Sequence, residues 1–201
     1  SSVSRGPNGR MVEGIEMKEF LIICGGSPSF HAEIIQVSRW DRFDFMLVGA
    51  NSPAEKVLKT VHHHVSHEDD FPKTAFIRKA LGFNVDYETW SNRPHPGVKH
   101  VLQYLTPPTC AYECHPRFPG KDPRNHHHYS GSSAMLGLKV GLRLGYRKVV
   151  LAGVSLDSGH YVNFQVGWLW IADILRCCPV RSLGGFPATF LGTYSEEWLN
   201  A

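Results

Sequence analysis

At 201 residues, 42% of them hydrophobic and 19% charged, the chain is long enough to bury one sizeable core and short for two. A formal charge of +3 with scattered basic residues excludes a nucleic-acid tail and leaves room for an anionic ligand, and no apolar run reaches the roughly 20 residues that span a bilayer. Five cysteines, two of them adjacent at Cys177 and Cys178, make a poor disulfide framework, so a reducing, cytoplasmic setting is expected.

Residues 1–16 are polar, glycine-containing and aperiodic, and are expected to form a disordered or vector-derived tail ahead of a single domain over 17–201. Phe20-Leu21-Ile22-Ile23-Cys24 reads as a buried strand, followed by the turn Gly25-Gly26-Ser27-Pro28-Ser29 and a helix predicted over Phe30–Val37. A glycine-rich turn between strand and helix lets backbone N–H groups and a helix N-terminus face a phosphate, which makes Gly25, Gly26 and Ser27 candidate nucleotide-binding residues. A second strand, Phe43–Val48, ends in Gly49-Ala50-Asn51, and Ser52-Pro53 then opens a helix with a cap and an N1 proline.

A third strand, Val61–Ser66, carries His62, His63 and His64, whose side chains alternate between faces and cannot converge on one metal; they are expected to fill the strand or its surface. His67 and Glu68 lie just past it, where His67 serves either as a ligand contact or in a local turn. A helix over Asp70–Gly82, a strand over Val85–Trp90, a loop over Ser91–Gly97 and a strand over Val98–Leu105 follow. The irregular stretch 106–130 holds five prolines, Cys110, Cys114, His115 and His126 to His128. These are zinc-type ligands, yet the evenly spaced second pair of a structural site is missing, so no metal is assigned. Arg117, Lys121 and Arg124 beside Tyr112, Phe118 and Tyr129 suit an anionic, stackable polymer or a partner surface, and Arg117 and Arg124 are the acceptor-binding candidates.

Ser132 or Ser133 is placed to cap a helix that runs to Leu144 and is stopped by Gly145. Ala134, Gly137, Leu138 and Gly141 share one nearly bare face, suited to lying close on a sheet. Lys148–Ala152 is apolar without alternation, as in a strand covered on both faces of a parallel sheet, and the loop Gly153–His160 leaves its carboxyl end, the edge where ligands bind in open α/β sheets. An apolar helix over Phe164–Cys177 and a last strand over Pro179–Leu183 complete an α/β, three-layer Rossmann-like fold with a mainly parallel sheet.

The pattern Gly-Ser-Ser-Ala, helix, Leu-Gly-Tyr-Arg-Lys, apolar strand, Gly-Val-Ser-Leu-Asp resembles the signature of the single-domain bacterial sialyltransferases and of the related archaeal 6-hydroxymethylpterin diphosphokinase-like family. Both families open with a strand and Gly-x-Gly-Pro-Ser, where this chain has Gly25-Gly26-Ser27-Pro28. The resemblance implies transfer from a nucleotide or nucleotide-sugar donor, a CMP-sugar first. It sets Ser132 and Ser133 on the phosphate-binding Thr-Ser, Asn51 on a nucleotide contact, His67 on an asparagine, and His160 on a general base. Asp157 orients ribose hydroxyls or that histidine, or is a turn residue. The sialyltransferases insert a lid between the Gly-x-Asp strand end and the histidine; here only Ser158 and Gly159 intervene, so the lid subdomain is lacking.

An enzyme without a lid must tolerate donor hydrolysis, borrow cover from a second copy in a homo-oligomer, or let a large acceptor close the site. No Asp-x-Asp motif appears, so no cofactor is required for sugar transfer. The rival readings are a diphosphate transferase using ATP, which needs Mg²⁺, and a nucleotide-binding scaffold that has lost catalysis.

Overall fold

The computed structural model describes residues 18–50, 52–102, 132–170 and 172–201, leaving aside the side chains of His160 and Trp170. In chain order the elements are β1 (Phe20–Cys24), α1 (Phe30–Ile34), β2 (Phe43–Val48), β3 (His63–Val65), α2 (Phe71–Ala80), β4 (Glu88–Ser91), β5 (His100–Val101), α3 (Ser132–Leu144), β6 (Lys148–Ala152), α4 (Gln165–Trp170), α5 (Ala172–Leu175), β7 (Val180–Ser182), α6 (Gly185–Leu191) and α7 (Glu196–Asn200), with 3-10 turns at Trp40–Arg42, Pro53–Lys56 and Gly159–Phe164.

The strands form one sheet of seven, ordered β5-β4-β3-β2-β1-β6-β7, and every pairing is parallel. All residues of β1, β2 and β6 are buried, because both faces of the sheet are covered. Leu21, Ile23, Met46, Val48, Val149 and Leu151 pack with Met135 and Leu138 of α3, Trp168 of α4 and Leu175 of α5. The alternate residues Phe20, Ile22, Phe43, Phe45, Leu47 and Val150 pack with Phe30 and Ile34 of α1 and Leu199 of α7. The period of two along each strand thus divides the apolar residues between two cores, and the result is a three-layer α/β, Rossmann-like domain. Among the described residues no helix is long and apolar enough to cross a membrane.

The chain leaves β1 toward β2 on one side and leaves β6 toward β7 on the other, so the strand order reverses between β1 and β6. That reversal opens a crevice at the carboxyl ends of the two strands. Only the loop 153–158 separates β6 from the 3-10 turn Gly159–Phe164, with no subdomain between them.

Several elements differ from expectation. Ser52 caps as expected, its side chain accepting from the Ala54 N–H, but the segment it opens is a 3-10 turn. The helix expected over Phe164–Cys177 is a 3-10 turn followed by α4 and α5, whose Val166 and Leu169 are 59% and 55% exposed, so the apolar run is only partly core. Of the strand expected over Val98–Leu105, the described residues 98–102 form a strand at His100–Val101, and 103–105 lie outside the described residues. Helices α6 and α7, seven and five residues long and bounded by Gly184, Gly192 and Ser195, carry too little periodicity to be read in advance.

The histidine run fills the strand, as expected, and does so with polar partners. At the amino edge of the sheet, Tyr146 Oη donates to Asp44 Oδ2 at 2.7 Å and lies 2.8 Å from His63 Nε2. Burial pushes His63 down to about 4, so at neutral pH it joins this network as the uncharged imidazole.

The small face of α3 lets the helix approach the sheet so closely that a Cβ on Gly137 would lie 2.6 Å from Val48 Cγ1 and 3.1 Å from Met46 Sδ. Alanine gains about 1 kcal/mol over glycine in helix propensity, but a clash against a β-branched, rotamer-locked valine costs about 1–3 kcal/mol. Gly137→Ala is therefore expected to lower stability in denaturant unfolding; a gain would mean that α3 does not seat on β2 at this distance.

Candidate functional site

The crevice at the strand reversal is a cavity of about 340 Å³. Its wall comes from the loops after β1 (Gly25, Gly26, Ser27), β2 (Gly49, Ala50), β3 (Ser66, Glu68) and β6 (Gly153 to Leu156), and from Ser132 to Ala134 at the start of α3. Tyr161 and Phe164 of the following 3-10 turn close one side.

Two glycines set its floor. The Gly25 N–H donates to the Ala152 carbonyl at 2.8 Å and the Ser27 N–H to the Gly153 carbonyl at 2.9 Å, zipping the two loops together beyond the strands. A Cβ on Gly25 would stand 2.3 Å from the Gly153 oxygen, and Gly153, at φ 66°, would press a Cβ to 2.9 Å from that of Phe30. Buried Glu33 holds this junction from below, its Oε2 accepting from the Gly153 N–H at 2.6 Å. Of the three amides in Gly25-Gly26-Ser27, two are thus committed to the β6 loop, which leaves Gly26 as the one to face a ligand.

The serines after the two strands meet. Ser155 Oγ donates to Ser27 Oγ at 2.8 Å, and Ser27 Oγ lies 2.9 Å from Ser29 Oγ, giving a chain of hydroxyls across the reversal. Ser155 was not singled out by its sequence, although a signal was present: β1 is followed by Gly25-Gly26-Ser27 and β6 by Gly153-Val154-Ser155, the same Gly-x-Ser on adjacent parallel strands.

Helix α3 runs opposite to β6, so its N-terminal amides and the positive end of its dipole open into the cavity. Ser132 and Ser133 both line it, and Ser133 reaches across to Gly49, where a Cβ would sit 3.7 Å from its Oγ. Ser132 has φ 85° and its Oγ has no hydrogen-bond partner, so it is not satisfying the helix as a cap. Leu156 has φ 57°. These two are the non-glycine residues with positive φ among the described residues, and both line the cavity. Left-handed backbone costs such residues about 1–2 kcal/mol and collects at ligand sites, where the surroundings impose it.

The remaining candidates are dispersed. Ser66 and Glu68 line the cavity while His67 between them is half-buried outside the lining, its carbonyl 3.3 Å from His95 Nε2. Asp157 is exposed and also outside the lining, because the chain turns outward after Leu156 and residues 157–159 are all exposed. His160 falls in the 3-10 turn next to Tyr161, with its side chain outside the described residues. Asn51, Arg117, Arg124, Cys110, Cys114, His115 and His126 to His128 lie outside the described residues altogether. Among the lining residues Glu68 is the one formal charge; the wall is otherwise amide, hydroxyl and apolar.

Comparison with protein-family models, with curated proteins and with solved structures finds no match to this chain.

The two adjacent glycines differ sharply in what they tolerate. A Cβ on Gly26 would meet nothing nearer than Tyr161 Oη at 3.6 Å and the Ala50 carbonyl at 4.0 Å. Gly26→Val is expected to melt within a few degrees of wild type while filling the cavity, whereas Gly25→Ala, pressed against backbone, is expected to cost about 3 kcal/mol or more. Equal melting temperatures for the two variants would contradict the contact between the β1 and β6 loops.

Proposed function

We propose that the chain is a nucleotide-dependent transferase that seats the donor's phosphate between the Gly26 amide and the N-terminus of α3. The observation that carries the reading is the cavity itself: it lies at the strand reversal of a parallel sheet, faces a helix N-terminus, and gathers the two strained residues Ser132 and Leu156. Backbone amides and hydroxyls in such a place bind phosphate without needing a side-chain cation.

The reaction we favour is glycosyl transfer from a nucleotide sugar, a CMP-sugar first. The acceptor hydroxyl oxygen attacks the anomeric carbon in line, the bond from that carbon to the phosphate oxygen breaks, and the electron pair leaves on the phosphate. His160, next in the chain to the cavity-lining Tyr161, takes the acceptor's proton; an imidazole with an ordinary value near 6.5 is suited to that at neutral pH. Ser133 and the α3 amides hold the leaving nucleotide. Asp157, exposed beyond the lining, is given no role in the reaction.

A thermal-shift series with CMP, UDP, GDP, ADP and ATP tests the binding step, since a ligand at 100 times its dissociation constant adds about 2.7 kcal/mol of stability. One nucleotide is expected to raise the melting temperature, and Ser133→Ala to weaken its binding by roughly 1–2 kcal/mol, the scale of one hydrogen bond to a charged group, with little change in stability. His160→Ala is expected to abolish transfer and leave nucleotide affinity intact. No shift with any nucleotide would overturn the reading; binding without turnover of any nucleotide sugar would point to a binding protein instead.

A further inference from the structure

Asp70 sits one hydrogen bond behind the cavity wall. Ser66 Oγ donates to Asp70 Oδ2 at 2.9 Å and itself accepts from the Glu68 N–H at 3.1 Å, and Ser66 and Glu68 both line the cavity. A second connection runs through His64, whose Nε2 lies 3.7 Å from Asp70 Oδ1 and 3.2 Å from the carbonyl oxygen of Gly49, another lining residue. Asp70 and His64 are 6% and 0% exposed, and Asp70 Oδ1 accepts no hydrogen bond. A buried carboxylate with one oxygen unmatched is poorly compensated for its charge.

The groups packed around it do not supply the missing compensation. Arg78 of α2 spends its guanidinium on the carbonyls of Glu55, Leu58, Lys59 and Asn84 and on Asn84 Oδ1. Glu55, from the 3-10 turn Pro53–Lys56, is itself buried, with Oε2 accepting from Thr74 Oγ1 at 3.2 Å. Glu68 adds a second like charge from the same loop, and Tyr87, ahead of β4, presents a buried hydroxyl with no hydrogen-bond partner. His64, pushed down to about 4 by burial, is neutral at physiological pH. Burial foremost, with Glu68 and Glu55 acting in the same sense against the Ser66 hydrogen bond, brings the Asp70 carboxyl up to about 6.

We propose that anion binding in the cavity is coupled to proton uptake at Asp70, so that the ligand-bound state holds this residue as the neutral acid. The inference rests on reading the cavity as an anion site. A phosphate seated against Ser133 and Gly26 places a further negative charge on the far side of Ser66, which favours the uncharged form of Asp70. The proton comes from solvent and adds to a carboxylate oxygen; no other bond changes. Because the free protein already takes up this proton as pH falls through about 6, and the complex takes it up at a higher pH, affinity rises as the solution is acidified from neutral.

Calorimetric titration with CMP-sialic acid, UDP-glucose and GDP-mannose tests this, because their phosphodiesters keep a constant charge over the range used. For whichever binds, affinity is expected to be roughly fivefold tighter at pH 5.5 than at pH 7.5, the effect of about one unit of upward shift on binding. Titrations at pH 6.5 in buffers of different ionisation heat are expected to show net proton uptake. Asp70→Asn is expected to bind with neither pH dependence nor uptake, and Ser66→Ala to move the pH dependence upward, since it removes the hydrogen bond that favours the carboxylate.

A second readout needs no ligand. With its folded value raised above the unfolded one, Asp70 costs stability as pH rises from about 4 through 6. The melting temperature of Asp70→Asn relative to wild type should therefore climb from pH 5 to pH 7.5. Wild-type binding that is pH-independent and proton-neutral, or an Asp70→Asn melting difference that does not vary with pH, would overturn the coupling. Failure of all three probes at both pH values would overturn the anion-site reading instead, and the coupling with it.

Discussion

The backbone contact between Gly25 and Gly153 is the constraint on which the rest of the cavity depends. Adjacent parallel strands normally diverge once their ladder ends, and here the pairing continues two residues further through the amides of Gly25 and Ser27. That continuation is possible only where neither loop carries a Cβ at the point of closest approach. It brings Ser27 and Ser155 within hydrogen-bond distance, and it fixes the floor above which α3 begins. Glu33 reinforces the same junction from α1, so residues from three elements converge on one peptide unit.

The two edges of the sheet set their buried polar residues in different surroundings. At the amino edge, away from the cavity lining, Asp44, Tyr146 and His63 form a buried network in which Asp44 Oδ2 and His63 Nε2 are paired through Tyr146, while Asp44 Oδ1 lies 3.2 Å from His62 Nε2 and His63 Nδ1 has no hydrogen-bond partner. At the carboxyl edge, Ser132 Oγ and Asp70 Oδ1 are left without partners and the backbone is strained at Ser132 and Leu156. Buried polar groups are nearly always paired, and what sets the unmatched Ser132 Oγ and Asp70 Oδ1 apart is their place in, or one hydrogen bond behind, the cavity wall. The His62-His63-His64 run illustrates the contrast within one strand: His63 serves the amino-edge network while His64 faces Asp70 and Gly49 at the other.

Much of this was legible in the chain. The predominantly apolar runs Phe20–Cys24, Phe43–Val48 and Lys148–Ala152, broken only by Asp44 and Lys148, identify the three strands buried along their whole length, because a strand covered on both faces shows no regular polar alternation. The bare face of α3 announces its close seat on the sheet, and the glycine turns after β1 and β6 mark the edge where the cavity lies. What could not be read was direction at single-residue resolution in loops. Whether Ser66, His67 or Glu68 faces the cavity depends on backbone torsions beyond β3, which no periodicity governs, and Asp157 faces solvent because Leu156 adopts a left-handed turn that its side chain gives no reason to expect. The closing helices α6 and α7 were equally hidden, since short elements are stabilised by what they pack on rather than by their own pattern, whereas β5 lies within an expected strand.

The central claim is that the strand reversal between β1 and β6 is a nucleotide-binding edge. Backbone amide resonances followed by NMR during titration with the nucleotide that stabilises the protein test it most directly, because each loop reports separately. The expected result is perturbation concentrated in the amides of 25–27, 49–50, 66–70, 132–134 and 153–156, with Asp44, His63 and Tyr146 at the amino edge unmoved. Perturbations centred on the amino edge, or spread evenly without reaching Gly26 and Ser133, would contradict the account.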